Sequence, residues 1–175
     1  MIVTETPTVL FSEGEIAQRV AELAARISLD YAHASEVLLV GVLRGAFIFL
    51  ADLSRRLTLP CRVDFLAVSR YEHGAEPGAV RLVMDLRSDI RGQHVLIVED
   101  IVDRGHTLAY LVHTLRAREP ASLRTCALTR KLARLEVDVA LDYVGFEVPD
   151  RWVVGYGLDK GGLYRDLPYI ATVGD

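Results

Sequence analysis

Val95-Leu96-Ile97-Val98-Glu99-Asp100-Ile101-Val102-Asp103-Arg104-Gly105-His106-Thr107 is the stretch from which the rest of the chain is read. Its opening aliphatic run reads as a strand buried on both faces. The strand delivers two adjacent acids to a sheet edge, and a third acid, Asp103, follows. Gly105 and Thr107 then open a helical pattern through Leu108, Leu111, Val112 and Leu115. A helix N-terminus offers free N–H groups and the positive end of the dipole, which together make an anion site. Gly105 lets the backbone come close, and Thr107 adds a hydroxyl donor. Carboxylates beside such a cradle are poor phosphate ligands but good acceptors for sugar hydroxyls. The segment therefore reads as a sugar-phosphate site, and spacing alone leaves open a capped βα turn with solvated carboxylates. It is not a Walker loop, because GxxxxGK[ST] occurs nowhere. Nor is Gly155-Tyr156-Gly157 a dinucleotide fingerprint, since it lacks a third glycine and opens no helix.

Outward from this segment, strands and helices alternate. Ser12-Glu13-Gly14-Glu15 has the form of a capping box, followed by Ile16, Val20, Leu23, Ala24 and Ile27 at helical spacing. Glu36 to Leu43 is a continuous apolar run broken by Arg44-Gly45, and Ala46 to Leu57 places Phe47, Leu50, Leu53 and Leu57 on one helical face. Cys61 to Val68 and Val80 to Met84 read as strands. The polar stretch 69–78 between them, with two glycines and a proline, reads as a loop. Leu123 to Leu128, Tyr143 to Val148 and Tyr169 to Val173 read as further strands. This alternation predicts an α/β fold, a mostly parallel twisted sheet flanked by helices, with its ligand at the carboxyl ends of the strands.

The chain has 175 residues, of which 51% are hydrophobic, enough for the core of a single domain spanning 1–175. Its net charge of −4 argues against a protein that coats nucleic acid or an anionic membrane. Cys61 and Cys126 lie in apolar runs without metal-ligand spacing and read as reduced thiols. The five histidines show no ligand spacing either. The N-terminal residues lack a basic region followed by a long apolar one, and no apolar run reaches about 18 residues. The expected setting is the cytoplasm.

In sum these residues resemble the phosphoribosyl pyrophosphate signature of the type I phosphoribosyltransferases, and the resemblance narrows to their hypoxanthine–guanine branch. Gly41 to Gly45, Val63-Asp64-Phe65, Val95 to Asp103, Asp142 to Asp150, Val153 to Asp159 and Tyr164-Arg165-Asp166 fall in the order of that branch, across Leu10 to Val173. VGFEVPD at 144–150 and VVGYGLD at 153–159 are what point to a 6-oxopurine. The fold implied has a small hood formed by segments near the chain ends. The activity implied is purine salvage: a magnesium-dependent transfer that joins hypoxanthine or guanine to phosphoribosyl pyrophosphate, giving IMP or GMP and pyrophosphate. The partners implied are those two substrates and a second or fourth copy of the chain, with no nucleic acid and no membrane.

The resemblance also implies roles. Glu99 and Asp100 would hold the ribose hydroxyls, and Arg104, Gly105, His106 and Thr107 the 5′-phosphate. Asp103 would manage the proton at N7 of the base. Lys131 would donate to the 6-oxo group, Trp152 would stack on the purine, and the Val153 carbonyl would accept from a 2-amino group. Leu43, Arg44 and Gly45, with a cis peptide after Leu43, and Arg165 would receive the pyrophosphate. Asp159, with Glu99 and Asp100, would face magnesium. Ser69, Arg70 and Tyr71 would belong to a lid over the site. Two residues depart from the family pattern: Arg104 stands where Thr or Ser is usual, and Arg70 interrupts the usual Ser-Tyr pair. The rival readings are a xanthine-preferring transferase and a nucleotide-sensing regulator that binds RNA or DNA. The second would require a basic face.

Overall fold

The computed structural model describes residues 6–70 and 80–174. In chain order the elements are β1 (Thr8–Phe11), α1 (Glu13–Asp30), β2 (Val37–Leu43), α2 (Phe47–Ser54), β3 (Cys61–Arg70), β4 (Val80–Met84), β5 (His94–Val102), α3 (His106–Arg116), β6 (Ser122–Arg130), a 3₁₀ turn (Leu132–Arg134), β7 (Tyr143–Glu147), β8 (Trp152–Val154) and β9 (Ile170–Val173). The expected capping box forms at the head of α1. The Ser12 backbone N–H donates to Glu15 Oε2 at 2.9 Å, and the Glu15 N–H donates to Ser12 Oγ at 3.3 Å. All five apolar residues read at helical spacing there are buried.

Six strands form one sheet in the order β4-β3-β2-β5-β6-β7, parallel except for β4 at its edge. Side chains alternate along β2 and β5 into two separate cores. Val37, Leu39, Leu96 and Val98 pack with α1 and α2, while Leu38, Val40, Val95 and Ile97 pack with α3 on the opposite face. Helices thus cover both faces, as the apolar runs predict. Chain order runs outward in both directions from the β2–β5 pair, so the switch point lies between their carboxyl ends. The hood is a second, antiparallel sheet, β1-β9-β8, made from the two ends of the described chain.

Three boundaries differ from expectation. The helix after Arg44-Gly45 is only two turns long and buries Phe49, Leu50 and Leu53, leaving Phe47 44% exposed and Leu57 beyond its end. β5 runs on through Glu99 and Asp100 to Val102, because its pairing with β6 continues to Val102↔Arg130. Ser69 and Arg70 belong to β3, paired with Arg81 and Val80, and not to the loop. Tyr71 and the rest of the lid segment to Gly78 lie outside the described residues. No helix among the described residues is long and apolar enough to cross a membrane.

Candidate active site

The carboxyl ends of β2, β5 and β6, the head of α3 and a loop of the hood converge on the switch point. At the end of β2 the Leu43–Arg44 peptide is cis, as expected. Gly45 beside it is buried, and its α-carbon backs onto the Asp100 carboxyl: a Cβ there would lie 1.5 Å from Asp100 Oδ2. Glu99 is 7% exposed, unusual for a carboxylate. Burial pushes the Asp100 carboxyl up to about 6, and Asp159 pushes the same way. N–H groups of the backbone and the nearby Arg165 oppose that shift. The Asp100 carbonyl accepts from Thr129 Oγ1 at 2.8 Å, which fixes the strand end against β6.

Asp103 follows, with Oδ1 buried and lacking a hydrogen-bond partner, and Oδ2 3.5 Å from the Arg134 guanidinium. It lines two adjoining cavities. One, of about 180 Å³, is bounded by Asp103, Lys131, Trp152, Val153 and Asp159; the other, of about 230 Å³, by Glu99, Asp103, Gly105 and Thr107. Gly105 caps α3 at φ +88°, a conformation that costs glycine little. No side chain caps this helix, and Gly105, Thr107 and Leu108 at its head line the second cavity.

Lys131, at the end of β6, is 6% exposed, and its N–H donates to Val102 O at 2.9 Å. Trp152, in β8, is 55% exposed, and its indole N–H donates to Asp159 O at 2.9 Å. Asp159 Oδ1 pairs with Arg165 at 2.7 Å, and Asp159 Oδ2 accepts the Gly162 N–H at 2.7 Å. Arg165 also donates to Gly157 O at 2.6 Å. Trp152, Gly162 and Arg165 are thus tied together through one acid, Asp159.

Of the residues singled out in sequence, Asp100, Asp103, Lys131, Trp152, Val153 and Asp159 share the first cavity, while Glu99, Asp103, Gly105 and Thr107 share the second. The side chains of Arg104 and His106 instead turn to Glu136, each at 2.8 Å. Bonding from His106, and then the Arg104 charge, holds the Glu136 carboxyl below the usual carboxylate range. Ser69 Oγ accepts from Arg81 Nε at 3.0 Å, which ties β3 to β4. Arg134 and Glu136 were not foreseen. Each partners residues about thirty positions away, and no local pattern signals such contacts.

No group of three or more His, Cys, Asp or Glu side chains among the described residues forms a complete metal shell. The donors fit magnesium all the same: it takes one or two carboxylates and fills its shell with water and substrate phosphate oxygens. Asp159 lies close enough to Asp100 to add to the upward push on the Asp100 carboxyl.

The profile of the phosphoribosyl transferase domain family matches residues 9–160. The chain belongs to that family, in its hypoxanthine–guanine branch. It is 48% identical to the hypoxanthine phosphoribosyltransferase of Salmonella typhimurium over 170 residues, 96% of each chain. It is 45% identical to the hypoxanthine-guanine phosphoribosyltransferase of Dictyostelium discoideum over 171 residues, 94% of each. The solved hypoxanthine phosphoribosyl transferase of Trypanosoma cruzi superposes with a TM-score of 0.92 at 41% identity, covering 99% of this chain and 94% of that one.

Proposed function

We propose that the chain is a purine salvage enzyme that joins hypoxanthine or guanine to phosphoribosyl pyrophosphate, forming IMP or GMP and releasing pyrophosphate. The observation that carries this reading is that Asp103 lines both the base-sized cavity and the sugar-phosphate cavity. The bond to be made joins a base nitrogen to C1′, so the proton-handling group must stand where the two substrates meet. Asp103 Oδ1, without a partner, takes the N7 proton as the base engages.

Glu99 and Asp100 accept from the ribose hydroxyls. The backbone of 104–107 and the Thr107 hydroxyl hold the 5′-phosphate at the head of α3. Lys131 donates to the 6-oxo group, which an exocyclic amino group could not accept, so adenine is rejected. Trp152 offers its exposed ring to the base, and Val153, on the edge strand β8, lines the same cavity. The Leu43–Arg44 peptide, Gly45 and Arg165 receive the pyrophosphate. Magnesium, when bound at Asp159 and the Glu99–Asp100 pair, offsets the charge that gathers on the leaving group. Water would compete for C1′, and the lid that Ser69, Arg70 and Tyr71 begin is assigned the task of excluding it. The whole chain acts as one domain, in a homodimer or homotetramer. Two cysteines that form no disulfide support a cytoplasmic setting.

The test mixes purified protein, magnesium and phosphoribosyl pyrophosphate with hypoxanthine, guanine, xanthine or adenine and resolves the products by chromatography. Inosinate or guanylate, lost with chelator and negligible with adenine, supports the reading. No nucleotide from any base would sink it.

A further inference from the structure

We propose that Glu136 is a positioning residue for the purine base, and that the Arg104 side chain serves the base side of the site, through Glu136, and not the 5′-phosphate. This rests on the reading of the site given above. Arg104 stands between Asp103 and Gly105, where a cation would be expected to face the phosphate. Its guanidinium turns away from the cavity at the head of α3, which Gly105 and Thr107 line, and donates to Glu136 Oε1 at 2.8 Å. His106 Nε2 lies 2.8 Å from the other oxygen, Glu136 Oε2. One carboxylate therefore engages the side chains of both Arg104 and His106.

The backbone repeats the connection. The Arg104 carbonyl accepts the N–H of Glu136 and that of Val137, each at 3.1 Å. Gly105 makes this approach possible, since a Cβ there would lie 2.5 Å from Val137 O. Residues 104–106 and 136–137 form a clip, closed by two backbone bonds and a two-pronged carboxylate.

What the clip controls is the segment before it. That segment begins at Lys131, anchored by its N–H to Val102 O at 2.9 Å, and passes through a single 3₁₀ turn in which no side chain is buried. No buried side chain holds it, so it depends on its two ends and on the ion pairs of Arg134. Lys131 and Arg134 both line the base cavity, and Arg134 reaches Asp103 Oδ2 at 3.5 Å and Asp150 Oδ1 at 3.0 Å. Opening the clip frees the far end of this segment and lets Arg134 drift, while the helix head that holds the phosphate keeps its own backbone. The Arg104–Glu136 pair is about half exposed, 46% and 48%, so its loss costs the whole fold little.

The experiment compares wild type, Glu136→Gln and the charge swap Arg104→Glu with Glu136→Arg. It reads Tm, the KM for hypoxanthine, the KM for phosphoribosyl pyrophosphate, and amide exchange over 131–137. In Glu136→Gln the hypoxanthine KM should rise about fivefold, the scale of one exposed ion pair. The phosphoribosyl pyrophosphate KM should stay within about twofold, Tm should hardly move, and the Glu136 and Val137 amides should exchange faster. The swap should restore the hypoxanthine KM. A rise confined to the phosphoribosyl pyrophosphate KM would make Arg104 a phosphate ligand and overturn the proposal. Unchanged constants with unchanged exchange would overturn it as well. Should wild type form no nucleotide, the proposed reaction fails, and exchange still decides whether the clip exists.

Discussion

The α-carbon of Gly45 and the carboxyl of Asp100 touch with no room for a methyl group between them, since a Cβ on residue 45 would lie 1.5 Å from Asp100 Oδ2. On its other side the Gly45 carbonyl is pressed by Gly157, which holds φ +101° and whose own Cβ would lie 2.1 Å from it. The turn after β2, the end of β5 and the loop after β8 therefore meet at one peptide.

Gly45→Ala cannot be absorbed there without moving Asp100 or the hood loop. We expect kcat/KM for phosphoribosyl pyrophosphate to fall about a hundredfold, as small misplacements at a reacting centre do. Thermal melting would be measured alongside. Wild-type kinetics in a folded variant would show that the Asp100 carboxyl has somewhere to go.

Asp103→Asn keeps the volume and removes the proton acceptor. Turnover should drop by roughly two orders of magnitude, the usual weight of one general acid–base group. Rates near wild type would remove Asp103 from proton handling.

Lys131→Gln leaves a neutral donor in a buried place, where the proposed role has a charged one facing the 6-oxo group. Charge-assisted bonds carry about 1.5–3 kcal/mol, so kcat/KM for hypoxanthine should fall at least tenfold. Discrimination against adenine should narrow in the same assay. An unaltered hypoxanthine-to-adenine ratio would contradict the role given to Lys131.

Stability should depend on acid through the end of α1. Asp30 Oδ2 accepts from Tyr143 Oη at 2.8 Å and from Arg124 at 3.0 Å. The tyrosine bond chiefly, and then the arginine, hold its carboxyl below its ordinary 3.8. A depressed acid stabilises the fold above its unfolded value, and that contribution goes as pH falls through the folded one. Asp30→Asn should therefore melt below wild type at pH 7, with the gap closing below about pH 4. A gap that stays constant with pH would show that the ionised carboxylate contributes nothing.

Much of this architecture is legible in the chain because its signals are local. Ser12 and Glu15 cap each other within one turn, and the aliphatic runs of β2 and β5 record burial on both faces. β8 was not read as a strand, since three residues on the rim of a small sheet show no alternation. The face of α2 was misjudged because so short a helix, apolar nearly throughout, has no polar side to orient it. At the site, Glu99, Asp100, Asp103 and Gly105 share one stretch and were found together. Arg134 and Glu136 depend on the folded path bringing distant segments side by side, and that is written in no window of sequence.

The hood also sets an order of assembly. β1 (Thr8–Phe11) is synthesised well before β9 (Ile170–Val173), the strand it pairs with. At about 5–20 residues per second, β1 waits roughly ten to thirty seconds for its mate. During that interval β2, β5 and β6 can already pair, whereas β8, which carries Trp152, has no partner strand to rest on. A nascent chain can thus form the cavity at the head of α3 before the one that Trp152 and Val153 line.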